Sequence, residues 1–88
     1  MIINLQKGQS IFSKRLLTEG MMRHWKYAQE TAQLGGGFML NTGFKIAEVN
    51  WATPGNMWVK VEVPGSHPTR YIKISGEEFS WNFKTHRG

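Results

Sequence analysis

Eighty-eight residues with 40% hydrophobic side chains, four tryptophans and 19% charged residues suit one domain with a single thin core, and exclude a disordered chain. Cysteine and aspartate are both absent, which excludes disulfides, thiolate zinc sites and a cysteine nucleophile, and removes the commonest carboxylate from metal and catalytic constellations. The formal charge of +5 points to an anionic partner, with nucleic acid ahead of a membrane surface.

Residues 1–12 read as an N-terminal strand or tail. Met1 to Leu5 is a short apolar run, Lys7-Gly8-Gln9-Ser10 is turn-like, and Ile11-Phe12 is either a short strand or the lead-in to a helix. The first ten residues lack the basic and apolar regions of a signal peptide. No apolar run approaches the roughly 20 residues of a spanning helix, so a cytoplasmic protein is expected.

Residues 14–34 form the expected helical region, with its main part over Glu19 to Leu34. Leu17, Met21, Trp25, Ala28 and Ala32 recur at three- and four-residue spacing as one apolar stripe. Glu19 with Arg23, and Lys26 with Glu30, stand four apart in the favourable charge order. Ser13 and Thr18 are both N-cap candidates, and Gly20 argues for a break or a start beside it. Gly35-Gly36-Gly37 closes the region as a C-terminal cap. It is not a phosphate loop, because the helix precedes the glycines and no Lys-Ser/Thr pair follows them.

Residues 38–84 read as an antiparallel sheet, with 85–88 as a tail. Phe38 to Asn41 is a short apolar run. The strand from Phe44 to Ala52 changes parity midway, which requires a β-bulge or strong coiling near Ala47. Thr53 to Asn56 and Pro64 to Pro68 are turns. Met57, Val59, Val61 and Val63 share one face, as do Ile72 and Ile74, and Phe79, Trp81 and Phe83 are expected to point inward in the same way. The fold class is α+β: one N-terminal helix packed on a four- to five-stranded antiparallel sheet bent toward a small barrel, as a single domain over 1–88.

The outward positions then carry the candidate site. Trp58, Lys60 and Glu62 face out from one strand, Tyr71 and Lys73 from the next, and Ser80, Asn82 and Lys84 from the last. Lysines for phosphates and aromatic faces for bases are the composition that holds single-stranded nucleic acid, so Trp58, Lys60, Tyr71, Lys73 and Lys84 are the binding residues. Two arrangements remain open, one with Trp58 and Tyr71 exposed and one with the helix lying over them. A secondary basic cluster, Lys14, Arg15, Arg23 and Lys26 with His24, surrounds the helix start and reads as a solvated helix face.

Catalytic chemistry finds little footing. His24, His67 and His86 form no HExxH arrangement, so neither a metal site nor a cofactor is expected. Ser66-His67 adjacency is no triad, and Glu77-Glu78 reads as two solvated carboxylates. The expected order of a strand, a helix and four antiparallel strands resembles that of ribosome-dependent messenger-RNA-cleaving toxins, in element order alone. That resemblance carries no residue across. A small ribonuclease would draw on Lys60, Tyr71, His86 and Arg87 for proton transfer and phosphate stabilisation. The leading expectation is a non-enzymatic nucleic-acid-binding protein. The alternative is a protein-interaction module, such as a small phage or mobile-element inhibitor or adaptor of a host protein. It would use the same aromatic face or the Met21/Met22/Trp25 surface, and a homodimer is compatible with either.

Overall fold

The structure, a computed structural model, describes residues 4–27, 36–51 and 56–87. Its elements run β1 (Ser10–Ser13), α1 (Glu19–Met22), β2 (Gly43–Asn50), β3 (Trp58–Glu62), β4 (Tyr71–Ser75), α2 (Gly76–Asn82) and β5 (Phe83–Lys84). The five strands make one antiparallel sheet in the order β4-β3-β2-β1-β5. The molecule is thus a small α+β protein, as its patterning implies. The barrel is corrected: β4 and β5 stand at opposite ends of the strand order and do not pair with each other, so the sheet stays open.

β3 and β4 form because β-branched residues alternate with polar ones. Val59, Val61, Ile72 and Ile74 are buried, while the residues between them face outward. β2 needs one extra residue to serve the same core. Ile46 pairs with Val61 and Glu48 with Lys60, so the register shifts at Ala47, where the parity change called for a bulge. Phe44 and Ile46 before the shift and Val49 after it all reach the core.

Residues 76–82 overturn the expectation of a fourth alternating strand. Ser75-Gly76-Glu77-Glu78 is a Ser-x-x-Glu helix start, and the Ser75 hydroxyl accepts from the Glu78 backbone N–H at 3.3 Å. Inside the resulting helix the buried residues are Glu78, Phe79 and Asn82, with Phe83 following; Asn82 stands three and four residues from Phe79 and Glu78, and Phe83 four from Phe79, rather than at intervals of two. Trp81 therefore points out and is 59% exposed, and Asn82, expected outside, is 6% exposed.

At the N-terminal side, Leu5 is buried and Lys7–Gly8 form the expected turn. Thr18 is the N-cap of α1, accepting from Met21 N at 3.2 Å. Ser13 lies in β1 instead, where its hydroxyl donates to Met39 O and accepts from Thr42 N. Of the expected helix, Glu19–Met22 is α-helical and residues 23–27 continue as turns. Ala28, Glu30, Ala32 and Gly35 lie outside the described residues. Gly36 has φ +62°, and a Cβ on Gly37 would overlap the Leu17 carbonyl where Leu17 bridges Phe38.

The core is aromatic at its centre. Phe44 and Phe83 meet edge to face at 5.4 Å, Phe38 packs on Phe44 at 5.0 Å, and Trp25 on Phe83 at 6.0 Å. Leu17, Met22 and Trp25 are buried in it and the partly buried Met21 packs against it, so Met22 and Trp25 are core residues. No helix among the described residues is long and apolar enough to cross a membrane.

Candidate nucleic-acid interface

The β3–β4 register builds the site. Trp58 stands opposite Ser75, Lys60 opposite Lys73 and Glu62 opposite Tyr71, on the outward face except for the buried Ser75. The ammonium groups lean along the diagonals: Lys73 Nζ lies 4.7 Å from the Trp58 ring centroid and Lys60 Nζ 5.9 Å from that of Tyr71. Lys60 also lies 3.9 Å from Glu48 of β2, a partly exposed pair that contributes little in water. Trp58 is half-buried and Tyr71 is 47% exposed.

A cleft of about 640 Å³ opens beside this face. It runs between the Lys7–Gly8 turn, the bulge at Ala47 and the side chains of Lys60, Glu62 and Tyr71. Gly8 N donates to Ile46 O at 2.8 Å, which fastens the turn over the bulged strand. Lys7 and Lys45 line the cleft as well. Sequence reasoning passed over both, since neither belongs to an alternating run with the aromatic residues.

Leu17 and Trp25 pack on the inner side, with Trp25 against Phe83. Tyr27, the last described residue of the α1 region, comes round to the outer face, its ring 5.8 Å from Lys73 Nζ. The sequence read Tyr27 as a position in a continuing helix, and only the turns over 23–27 direct it here.

Lys84 is not brought to this group. It lies on β5, opposite Phe12 of β1, with β1 and β2 between it and β3. Arg87 stacks over the Phe12 ring at 5.1 Å at that same end. The ribonuclease set divides accordingly, with Lys60 beside Tyr71 and Arg87 beside Phe12. The toxin-like element order also lapses, because α2 stands between β4 and β5.

The secondary basic cluster is engaged internally. Lys14 Nζ donates to Ser80 O at 2.7 Å and Arg15 Nη2 to Trp81 O at 3.0 Å, at the C-terminal end of α2. These cations serve carbonyls that a helix end leaves without intrahelical donors. Arg23 pairs with Glu19 at 2.9 Å, and Lys26 donates to Asn56 at 3.1 Å.

Of the remaining candidates for chemistry, Ser66 has a structural role. Ser66 Oγ donates to Val63 O and accepts from Arg70 N, so it organises its turn. No group of three potential metal ligands occurs among the described residues. Glu78, expected to be solvated, is 8% exposed, and its Oε2 has no hydrogen-bond partner among the described residues. Comparisons with protein-family models, curated proteins and solved structures yield no match to this chain.

Proposed function

We propose that this chain is a non-enzymatic binding protein that holds single-stranded nucleic acid on the outer face of β3 and β4. The observation that carries the reading is the direct opposition of Lys60 and Lys73. Like charges facing each other across two strands are destabilising. A phosphate toward which both ammonium groups turn from the Trp58 and Tyr71 rings converts that repulsion into two attractive contacts and frees the rings. Trp58 and Tyr71 stand on the diagonals of the same pair, where bases following the phosphate can stack.

Glu48 and Glu62 border the lysines and temper the field, so binding is expected to be modest and sensitive to salt. The test is fluorescence anisotropy with a labelled oligothymidylate, titrated from low to moderate salt. Binding that weakens when Lys60 and Lys73 are replaced by glutamine is the expected result. No binding at low salt ends the reading. Purified protein is also expected to leave RNA, DNA and translating ribosomes uncut, and cleavage that disappears in Lys60→Ala would replace binding with catalysis.

A further inference from the structure

The surplus charge of the chain is not concentrated on the Trp58 face. Residues 10–17, 36–44 and 79–87 hold Lys14, Arg15, Lys84 and Arg87, four of the eleven Lys and Arg, and none of the six glutamates, whereas Lys45 lines the cleft beside the Trp58 face. The other seven cations stand against six glutamates, so four of the five net positive charges belong to these three stretches. Folding places them side by side, with Ser13 to Leu17 as the middle strip. On one flank Asn41 N donates to Ser13 O at 3.0 Å, and Leu17 and Phe38 exchange two bonds of 2.8 Å. On the other, Lys14 N donates to Asn82 O at 2.8 Å and Arg15 reaches Trp81 O.

The strip and its two flanks carry four of the six large apolar side chains that are exposed among the described residues. Leu16 is 51% exposed, Met39 72%, Leu40 53% and Trp81 59%. The antiparallel bridge of Leu17 with Phe38 makes Leu16 and Met39 the next cross-strand neighbours. Leu17 is buried and Phe38 packs on the core, so alternation turns Leu16 and Met39 outward. Trp81 lies on the opposite flank of the strip, one helical residue beyond the carbonyl that Lys14 holds.

We propose that this end of the molecule docks an acidic protein segment bearing apolar anchor side chains. The proposal does not rest on the nucleic-acid reading. Tryptophan, methionine and arginine are the residues enriched at interface cores, and the cations Lys14, Arg15, Lys84 and Arg87 attract and orient a carboxylate-rich partner. A second copy of the chain would bring the same positive end against this one, which charge disfavours. Leucine and methionine offer a nucleic acid neither hydrogen bonds nor planar stacking. Lys14 and Arg15 are tied to the α2 carbonyls, so their charges stand at fixed distances from Leu16 and Trp81. Fixed spacing suits a peptide with its own spacing better than a fluid headgroup layer.

The experiment is selection of a random dodecapeptide phage library on the immobilised full chain, followed by anisotropy with the selected peptides. The expected peptides combine Glu or Asp with Leu, Phe or Trp. Trp81→Ser and Leu16→Ser should each weaken them roughly tenfold or more. Arg87→Gln should weaken binding at low salt and have a smaller effect at high salt, whereas Lys60→Gln with Lys73→Gln should leave it unchanged. Circular dichroism confirms that each variant remains folded. Failure to select acidic apolar peptides overturns the proposal, as does equal binding by wild type and both serine variants. So does a Trp81-dependent dimer in sedimentation, or Trp81-dependent binding of phosphatidylserine vesicles or oligothymidylate in place of peptide.

Discussion

Arg15 donates from Nη2 to the carbonyl oxygen of Trp81 at 3.0 Å, joining two residues 66 apart in sequence. Lys14 makes the equivalent bond to Ser80. Together they supply the C-terminal end of α2 with cations that its own last turn lacks. Both contacts are exposed, so each should contribute only about 0.3–1 kcal/mol at low ionic strength. Lys14→Met combined with Arg15→Met should lower the urea midpoint at low salt, and the loss should shrink at 1 M salt. An unchanged midpoint at low salt would show that the carbonyls are served equally well by water.

Trp81 and Phe83 should separate sharply under truncation. Trp81 is exposed, and Trp81→Ala should cost less than about 1 kcal/mol. Phe83 is 1% exposed and meets Trp25, Phe44 and Phe79. Phe83→Ala should cost about 3–5 kcal/mol, a large part of the stability of a small domain. Comparable losses for the two in denaturant melts would contradict the helical reading of residues 76–82.

The start of α2 offers two opposing substitutions. Ser75→Ala removes the acceptor for Glu78 N and should cost about 1 kcal/mol. Glu78→Met removes a buried oxygen without a partner among the described residues, for which the penalty is about 1–3 kcal/mol. It also removes an acidic group from the first helical turn, which is worth about 0.3–1 kcal/mol. The first effect is larger, so Glu78→Met should stabilise. A lower thermal midpoint for Glu78→Met would mean that the carboxylate has found a partner in solution.

Two glycines should respond oppositely to alanine. Nothing lies within 4 Å of a Cβ on Gly20, which sits inside α1, so Gly20→Ala should stabilise by about 0.5–1 kcal/mol. Gly37→Ala would press a methyl group into the Leu17 carbonyl and must open the bridge between Leu17 and Phe38. Urea melts should show a gain for the first and a clear loss for the second. A neutral Gly37→Ala would place that bridge outside the cooperative structure.

On the proposed binding face, charge and stacking should leave different signatures. Removing one lysine from a bound phosphate should flatten the log–log salt slope by about 0.7 for a single strand. Lys60→Gln with Lys73→Gln should therefore flatten it by about 1.4 units. Trp58→Ala should weaken binding through stacking, about 1–3 kcal/mol per base, with the slope nearly unchanged. Anisotropy titrations across a salt series separate the two. Equal slopes for wild type and the double lysine variant would remove phosphate from between the lysines.

The alternation in β3 and β4 and the parity change at Ala47 were legible in the chain, because a strand with one buried face must repeat every two residues and a bulge must break that repeat. Those local rules were enough to place Trp58, Lys60, Tyr71 and Lys73 together outside the core. Phe79, Trp81 and Phe83 satisfied the same rule by coincidence. The helix start at Ser75 to Glu78 was the competing local signal, and the tertiary structure shows it prevailing, with Phe79, Asn82 and Phe83 inside and Trp81 outside. Neither the separation of Lys84 from the Trp58 face nor the capping of α2 by Lys14 and Arg15 has a local cause. Both follow from β1 lying between β2 and β5, an adjacency of segments about 70 residues apart. Local pattern determined which residues could face the core. Beyond the β3–β4 pair, only long-range pairing decided which outward residues became neighbours, because that choice depends on strand order, and periodicity carries no information about it.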